Sequence, residues 1–271
     1  MSSVAGLTLR ARARLAVALL LAALLVLVAV PALARAVSYV ALGDSYSSGV
    51  GTRTYYSDSG SCYRSPKACP VLVASQLGYS LSFRACSGAK TTDVINNQLG
   101  PLSSSTNKVS ISIGGNDAGF ADVITECAFP SWASDCNGAI NAAQAYINNT
   151  LPSRLNSTFS AIRSRAPNAT VAVVGYPRLF MGVDCNAGTW FSSTEMTRLN
   201  QTADLLASVE SGRAAAYGFR FVDPRSAFTG HAVCSSSEWI NGLSWPVMES
   251  YHPNVNGQNS GYRPLVAAAL P

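Results

Sequence analysis

"VSYVALGDSYSSGVG", Val37 to Gly51, is the stretch on which the reading of the whole chain turns. Ser38–Gly43 is a nearly continuous apolar run of the kind found in strands covered on both faces. It ends in Gly43-Asp44-Ser45, and small, flexible residues follow. Four later stretches share its character: Ser80–Cys86, Val109–Ile113, Thr170–Gly175 and Phe219–Val222. Each is short, and most are bounded by Gly, Pro, Asn or Asp, the punctuation of strands.

Helical segments separate these strands. Pro70–Leu77, Thr91–Asn97 and Ala118–Cys127 are short. Asn137–Arg165 is longer, with Ile140, Ala143, Ile147, Leu151, Leu155, Phe159 and Ile162 near helical spacing. Pro152 is a point at which that helix kinks or restarts. Glu195–Tyr217 and Gly257–Ala269 complete the set. Strands alternating with helices predict an α/β fold in which a five-stranded parallel sheet lies between two helical layers.

The first 36 residues read differently. Arg10, Arg12 and Arg14 precede an uncharged apolar run, Leu15–Val30, and then "PALARA", which offers two overlapping Ala-x-Ala sites. A basic start, an apolar run and a small-residue exit predict a secretory signal over residues 1–36. The run is also marginally long enough for an uncleaved anchor, but the regular exit site favours cleavage. Residues 37–271 are then a single domain, exported and without a stable membrane span. The segment holds four of the 19 Lys and Arg residues and none of the 14 acidic ones, so the remainder carries 15 − 14 = +1 rather than the whole chain's +5. Nucleic-acid binding, which needs clustered positive charge, loses its support.

All seven cysteines fall in the exported part, where disulfides are permitted. Cys127 with Cys136 would bridge a short loop. Cys62 with Cys86 and Cys185 with Cys234 are the preferred further pairs, leaving Cys69 free, although sequence alone leaves the connectivity open. With no Cys-x-x-Cys and two histidines, no metal or other cofactor is expected.

In open parallel sheets, chemistry gathers at the carboxyl ends of the strands. Three exits qualify: Gly43-Asp44-Ser45, Cys86-Ser87-Gly88 and Gly114-Gly115-Asn116-Asp117. They offer a hydroxyl, an approachable backbone N–H and a side-chain amide. A serine needs a base, and only His231 and His252 can supply an imidazole. His252 precedes Pro253 in a loop before the last helix and is the better placed. His231, near Cys234, reads as a structural loop residue. Asp44 reads as a loop-fixing acid and Asp117 as the cap of a helix starting at Ala118. Tyr46, Phe120, Trp190 and Trp245 are candidates for an acyl site, though buried aromatics more often serve the core.

"GDSYSSG", "ACSGA", "GGND" and "YHPN", in that order, resemble the SGNH hydrolases, also called GDSL esterases and lipases. The likeness spans essentially the whole mature chain and is greatest to the secreted bacterial lipases of that family. It implies a three-layer α/β/α sandwich of the flavodoxin-like type. It also implies Ser45 as nucleophile, His252 as base, and an oxyanion hole from the N–H groups of Ser45 and Gly88 and the amide of Asn116. One position departs from the pattern: where the family usually has an Asp to orient the histidine, this chain has Glu249. Either Glu249 or the backbone carbonyl of Ser250, the preferred alternative, is expected to hold the imidazole.

The expectation is therefore a secreted, metal-independent, monomeric serine hydrolase acting on carboxylic esters, chiefly lipid acyl esters. An esterase of acetylated polysaccharides and a catalytically silent binding domain are the rivals.

Overall fold

The computed structural model describes residues 36–271, and the expected signal segment, apart from Ala36, lies outside the described residues. Five strands, β1 (Ser38–Gly43), β2 (Ser80–Phe83), β3 (Lys108–Ser112), β4 (Thr170–Val174) and β5 (Arg220–Val222), form one sheet. All are parallel, in the order β2-β1-β3-β4-β5. The three central strands are buried along nearly their whole length, as their continuous apolar runs require. Ser110 on β3 is buried too, and its hydroxyl lies 2.6 Å from that of Tyr39 on β1, so each polar group has a partner.

The helices are α1 (Ser45–Ser48), α2 (Cys69–Leu77), α3 (Thr91–Asp93), α4 (Phe120–Ala128), α5 (Cys136–Asn149), α6 (Leu151–Arg165), α7 (Ser193–Ala216) and α8 (Arg263–Ala269). The chain leaves β1 outward to β2, whereas later crossovers progress the other way across the sheet. Right-handed connections therefore put the helices of the two directions on opposite faces. In agreement, α2 packs against α8, while α5, α6 and α7 pack on one another. The sandwich is the one expected. Its sequence order reverses between β1 and β3, and at such a switch point a crevice opens beyond the strand ends.

Several boundaries moved for local reasons. The segment read as one helix, 137–165, is two: it breaks at Thr150, and Pro152 sits in the first turn of the second, where its missing N–H costs nothing. The long helix begins at Ser193, because Ser192 and Glu195 form a reciprocal capping box. β2 ends at Phe83, but Arg84 and Ala85 still donate to the Ala41 carbonyl and Cys86 to that of Gly43. The helix expected from Ala118 starts at Phe120, since Gly119 is left-handed (φ +76°). Asp117 does not cap it. Its carboxylate accepts from the N–H (2.9 Å) and hydroxyl (2.6 Å) of Thr91, at the start of α3.

Three disulfides join Cys62 to Cys86, Cys127 to Cys136 and Cys185 to Cys234, the preferred pairs, and Cys69 is a buried free thiol. Bridges of this kind typically stabilise by about 2–4 kcal/mol each.

Candidate active site

β1 carries Gly43-Asp44-Ser45 into the crevice, and a network of hydrogen bonds makes that turn rigid. Gln98 brackets Gly43: the Gly43 N–H donates to its Oε1 (2.7 Å), and its Nε2 donates to the Gly43 carbonyl (2.8 Å). Asp44 is buried and holds the loop, as expected from the sequence. Its Oδ1 accepts from the Tyr46 N–H (3.0 Å) and its Oδ2 from the Tyr176 hydroxyl (2.5 Å). Burial pushes the Asp44 carboxyl up to about 7, against the opposing effect of those hydrogen bonds.

His252 comes from the far end of the chain and meets Ser45. Its Nε2 lies 2.8 Å from Ser45 Oγ, and its Nδ1 lies 2.8 Å from the carbonyl oxygen of Ser250. A carbonyl can only accept, so Nδ1 carries the proton and Nε2 presents its lone pair to the serine hydroxyl. Burial pushes the imidazole down to about 4, only partly offset by the Ser250 hydrogen bond. The ring packs against Tyr46 (centroids 5.2 Å apart) and Phe120 (6.4 Å).

Three contacts lock the histidine loop to the serine turn. The Tyr46 hydroxyl donates to the Tyr251 carbonyl (2.7 Å), and Asn241 Nδ2 donates to the Gly51 carbonyl (2.9 Å). Gly51, with φ +101°, lies where a Cβ would strike His252 and Pro253, so only glycine allows this approach.

Glu249 does not touch His252. It is buried, its Oε1 takes the hydroxyl of Tyr55, and its backbone carbonyl accepts from Asn241 (3.2 Å). Of the two orienting groups the sequence left open, only the Ser250 carbonyl reaches the imidazole.

The other two strand exits supply donors. Gly88 adopts φ +78°, a left-handed conformation natural to glycine. The N–H groups of Ser45 and Gly88 have no acceptor among the described residues. Asn116 donates one amide hydrogen to the Ala89 carbonyl (3.0 Å), which fixes the amide plane and leaves its second hydrogen free. Ser45, Gly88, Asn116 and His252 all line one open cleft of about 420 Å³. Phe120, Ile124, Phe129, Leu243 and Val247 give it apolar walls. Of the aromatic candidates, Phe120 lines this cleft; Tyr46 lies beneath it, and Trp190 and Trp245 are exposed outside it.

His231 is remote from this chemistry, with Nδ1 on the Ser237 carbonyl and its ring stacked on Trp239. The one His/Cys/acid cluster of metal-binding spacing among the described residues is Cys185, Cys234 and Glu238. Its two sulfurs are already joined in a disulfide and offer no thiolate. Gln98, Tyr55, Tyr176 and Asn241 were not legible in the sequence, because each acts on a partner far along the chain and none stands in a recognisable local pattern.

A parallel α/β/α sandwich with this serine–histidine pair at its switch point is the architecture of an ester hydrolase. A model of the GDSL-like Lipase/Acylhydrolase family matches residues 41–259, and the chain belongs to that family. Lipase 1 of Streptomyces coelicolor is 51% identical over 239 residues, covering 87% of this chain and 88% of the relative. Among solved structures, the extracellular lipase of Streptomyces rimosus is 48% identical with a TM-score of 0.81, covering 86% of this chain and 100% of that one. Phospholipase A1 of Streptomyces albidoflavus NA297 is 50% identical with a TM-score of 0.82, covering 86% and 99%. The chain is a carboxylic ester hydrolase of the GDSL lipase type.

Proposed function

We propose that this hydrolase cleaves lipid acyl esters through a covalent acyl-enzyme on Ser45. The observation that carries the reading is the continuous line from Ser250 O through His252 to Ser45 Oγ, with 2.8 Å at each contact. Ser45 Oγ attacks the ester carbonyl while His252 Nε2 takes its proton. The tetrahedral oxyanion forms among the N–H groups of Ser45 and Gly88 and the free amide hydrogen of Asn116. Each such donor is worth on the order of 3 kcal/mol to the barrier. The imidazolium then protonates the departing alcohol, leaving the acyl group on Ser45. Water attacks that ester, His252 takes its proton, and the acid leaves as the proton returns to Ser45.

The Ser250 carbonyl holds the imidazole in the right tautomer, the task given to an aspartate elsewhere. It presents a dipole rather than a full charge, so the imidazolium gains less than beside a carboxylate. The depressed proton affinity of His252 keeps it neutral, and so competent as base, well below neutral pH.

Lipid esters are favoured over acetylated sugars by the apolar walls of the cleft. The relatives named lipase and phospholipase A1 support the same choice. Residues 1–36 act as a secretory signal and residues 37–271 work outside the cell as a single-domain monomer. Three disulfides, which persist in oxidising surroundings, support the export.

Hydrolysis of p-nitrophenyl esters of increasing chain length, with Ser45→Ala as control, tests the proposal. Long or medium chains should be preferred, and Ser45→Ala should abolish turnover. Turnover unchanged by Ser45→Ala would defeat the mechanism. A preference for acetyl esters would move the substrate to acetylated polysaccharide.

A further inference from the structure

Behind the cleft lies a second cavity, of about 70 Å³, that the reaction above does not use. Its lining is apolar, from Val123 and Ile124 on α4, Ala143 and Ile147 on α5, and Leu199 and Leu206 on α7. Tyr46 and Gly115 also line it, and each is the chain neighbour of a reacting residue, Ser45 and Asn116. The space thus adjoins the segments that carry the site. Phe120 and Ile124 line both this cavity and the cleft, so side chains of one helix divide the two spaces.

The lining offers water little. The Tyr176 hydroxyl is committed to Asp44, and the Thr202 hydroxyl accepts from Gln144 (2.9 Å) and donates to the Arg198 carbonyl (2.9 Å). An apolar recess without free polar partners holds water weakly, and its walls lose dispersion contacts across the gap. The chemistry that fills this one is hydrocarbon.

Phe120 stands at the dividing wall as the first residue of α4, immediately after left-handed Gly119. It is partly buried, and its ring meets Tyr46 and His252 edge-on, at 6.3 and 6.4 Å between centroids. Edge-on contacts hold the ring in place without enclosing it, so a rotation about its side-chain bonds joins the two spaces.

We propose that this inner cavity receives the distal carbons of the substrate's acyl chain, and that Phe120 is the gate setting the chain length the enzyme takes. This rests on the reading of Ser45 as the acylated residue. The cavity is too small for a whole fatty chain. With the Phe120 ring turned aside it accommodates the end of a short or medium chain, and longer chains run out along the open cleft.

The experiment measures kcat/KM for p-nitrophenyl butyrate, octanoate and palmitate. The variants are Phe120→Ala, which removes the gate, Ala143→Leu, which fills the cavity, and the double variant. Phe120→Ala should raise the octanoate-to-butyrate ratio by about tenfold, the scale on which hydrophobic pockets discriminate chain length. Ala143→Leu should lower that ratio in the wild-type background and cancel the gain in the double variant. A ratio unmoved by either change, or a Phe120→Ala gain undiminished in the double variant, overturns the inference. Thermal melting checks that each variant folds, and Ala203→Val, on the cavity wall from α7, replaces Ala143→Leu should that variant melt early. Ser45→Ala runs alongside. Turnover surviving in it overturns the acyl-enzyme reading, whereas Ser45-dependent turnover with an unmoved ratio overturns only the gate.

Discussion

The chain's two histidines stand in similar local settings and differ in what lies beyond them. His231 turns Nδ1 to the Ser237 carbonyl at 2.7 Å, and His252 turns Nδ1 to the Ser250 carbonyl at 2.8 Å. In both loops the carbonyl selects the tautomer with a bare Nε2. The His231 ring then lies flat on Trp239, with centroids 3.7 Å apart and planes 1° from parallel, in the loop closed by Cys185–Cys234. The His252 ring instead points its Nε2 at a serine hydroxyl on the opposite wall of the cleft. A carbonyl-held imidazole is therefore a common loop device. It becomes a base only where the fold brings a nucleophile within hydrogen-bond reach of the second nitrogen.

The sharpest way to break that comparison is to delete each ring in turn. His252→Ala should lower kcat by about four orders of magnitude, because a triad-type unit loses nearly all its advantage with any essential member. His231→Ala should leave kcat within about twofold and act on thermal stability alone, through loss of the stacked ring. Comparable losses of turnover in both variants would erase the distinction.

A smaller effect separates Glu249 from Ser250. Glu249 is bonded to Tyr55 and supports the loop that presents the Ser250 carbonyl, without touching the imidazole. Glu249→Gln keeps the shape and can still accept from Tyr55, so kcat/KM for a soluble ester should change by less than about fivefold. A loss of orders of magnitude would return the orienting role to the carboxylate.

What was legible in the sequence was whatever is encoded by neighbours. The strands show as apolar runs, because strands buried on both faces need them. Ser45, Gly88, Asn116 and His252 show because each sits in a short turn motif at a strand or helix end. Asp44 was read correctly as a loop acid, since its partner Tyr46 is two residues away. Asp117 was misread for the same reason turned around: a cap for the next helix is the local expectation, but its partner, Thr91, is 26 residues distant. Gln98, which clamps Gly43 across 55 residues, carries no sequence signal of its own. Nor does Glu210, which helical spacing hides inside α7. It is fully buried with both carboxylate oxygens unpartnered among the described residues, and burial, with Asp44 nearby, pushes its carboxyl well above the usual range. The long-range pairs that hold the site rigid became visible only once the sheet had brought their segments together.

The central claim is that Ser45 attacks and that a half-buried, carbonyl-held His252 takes its proton. The most direct test is the pH dependence of covalent labelling by an alkyl phosphonate ester, with the modified peptide located by mass spectrometry. The base acts only when neutral, so labelling should fall as pH drops through the imidazole's value in the folded protein. The account predicts one phosphonyl group on Ser45, with the acid limb at about 4 rather than the ordinary histidine value of 6.5. Label on another residue, or label on Ser45 with no acid limb at all, would contradict it.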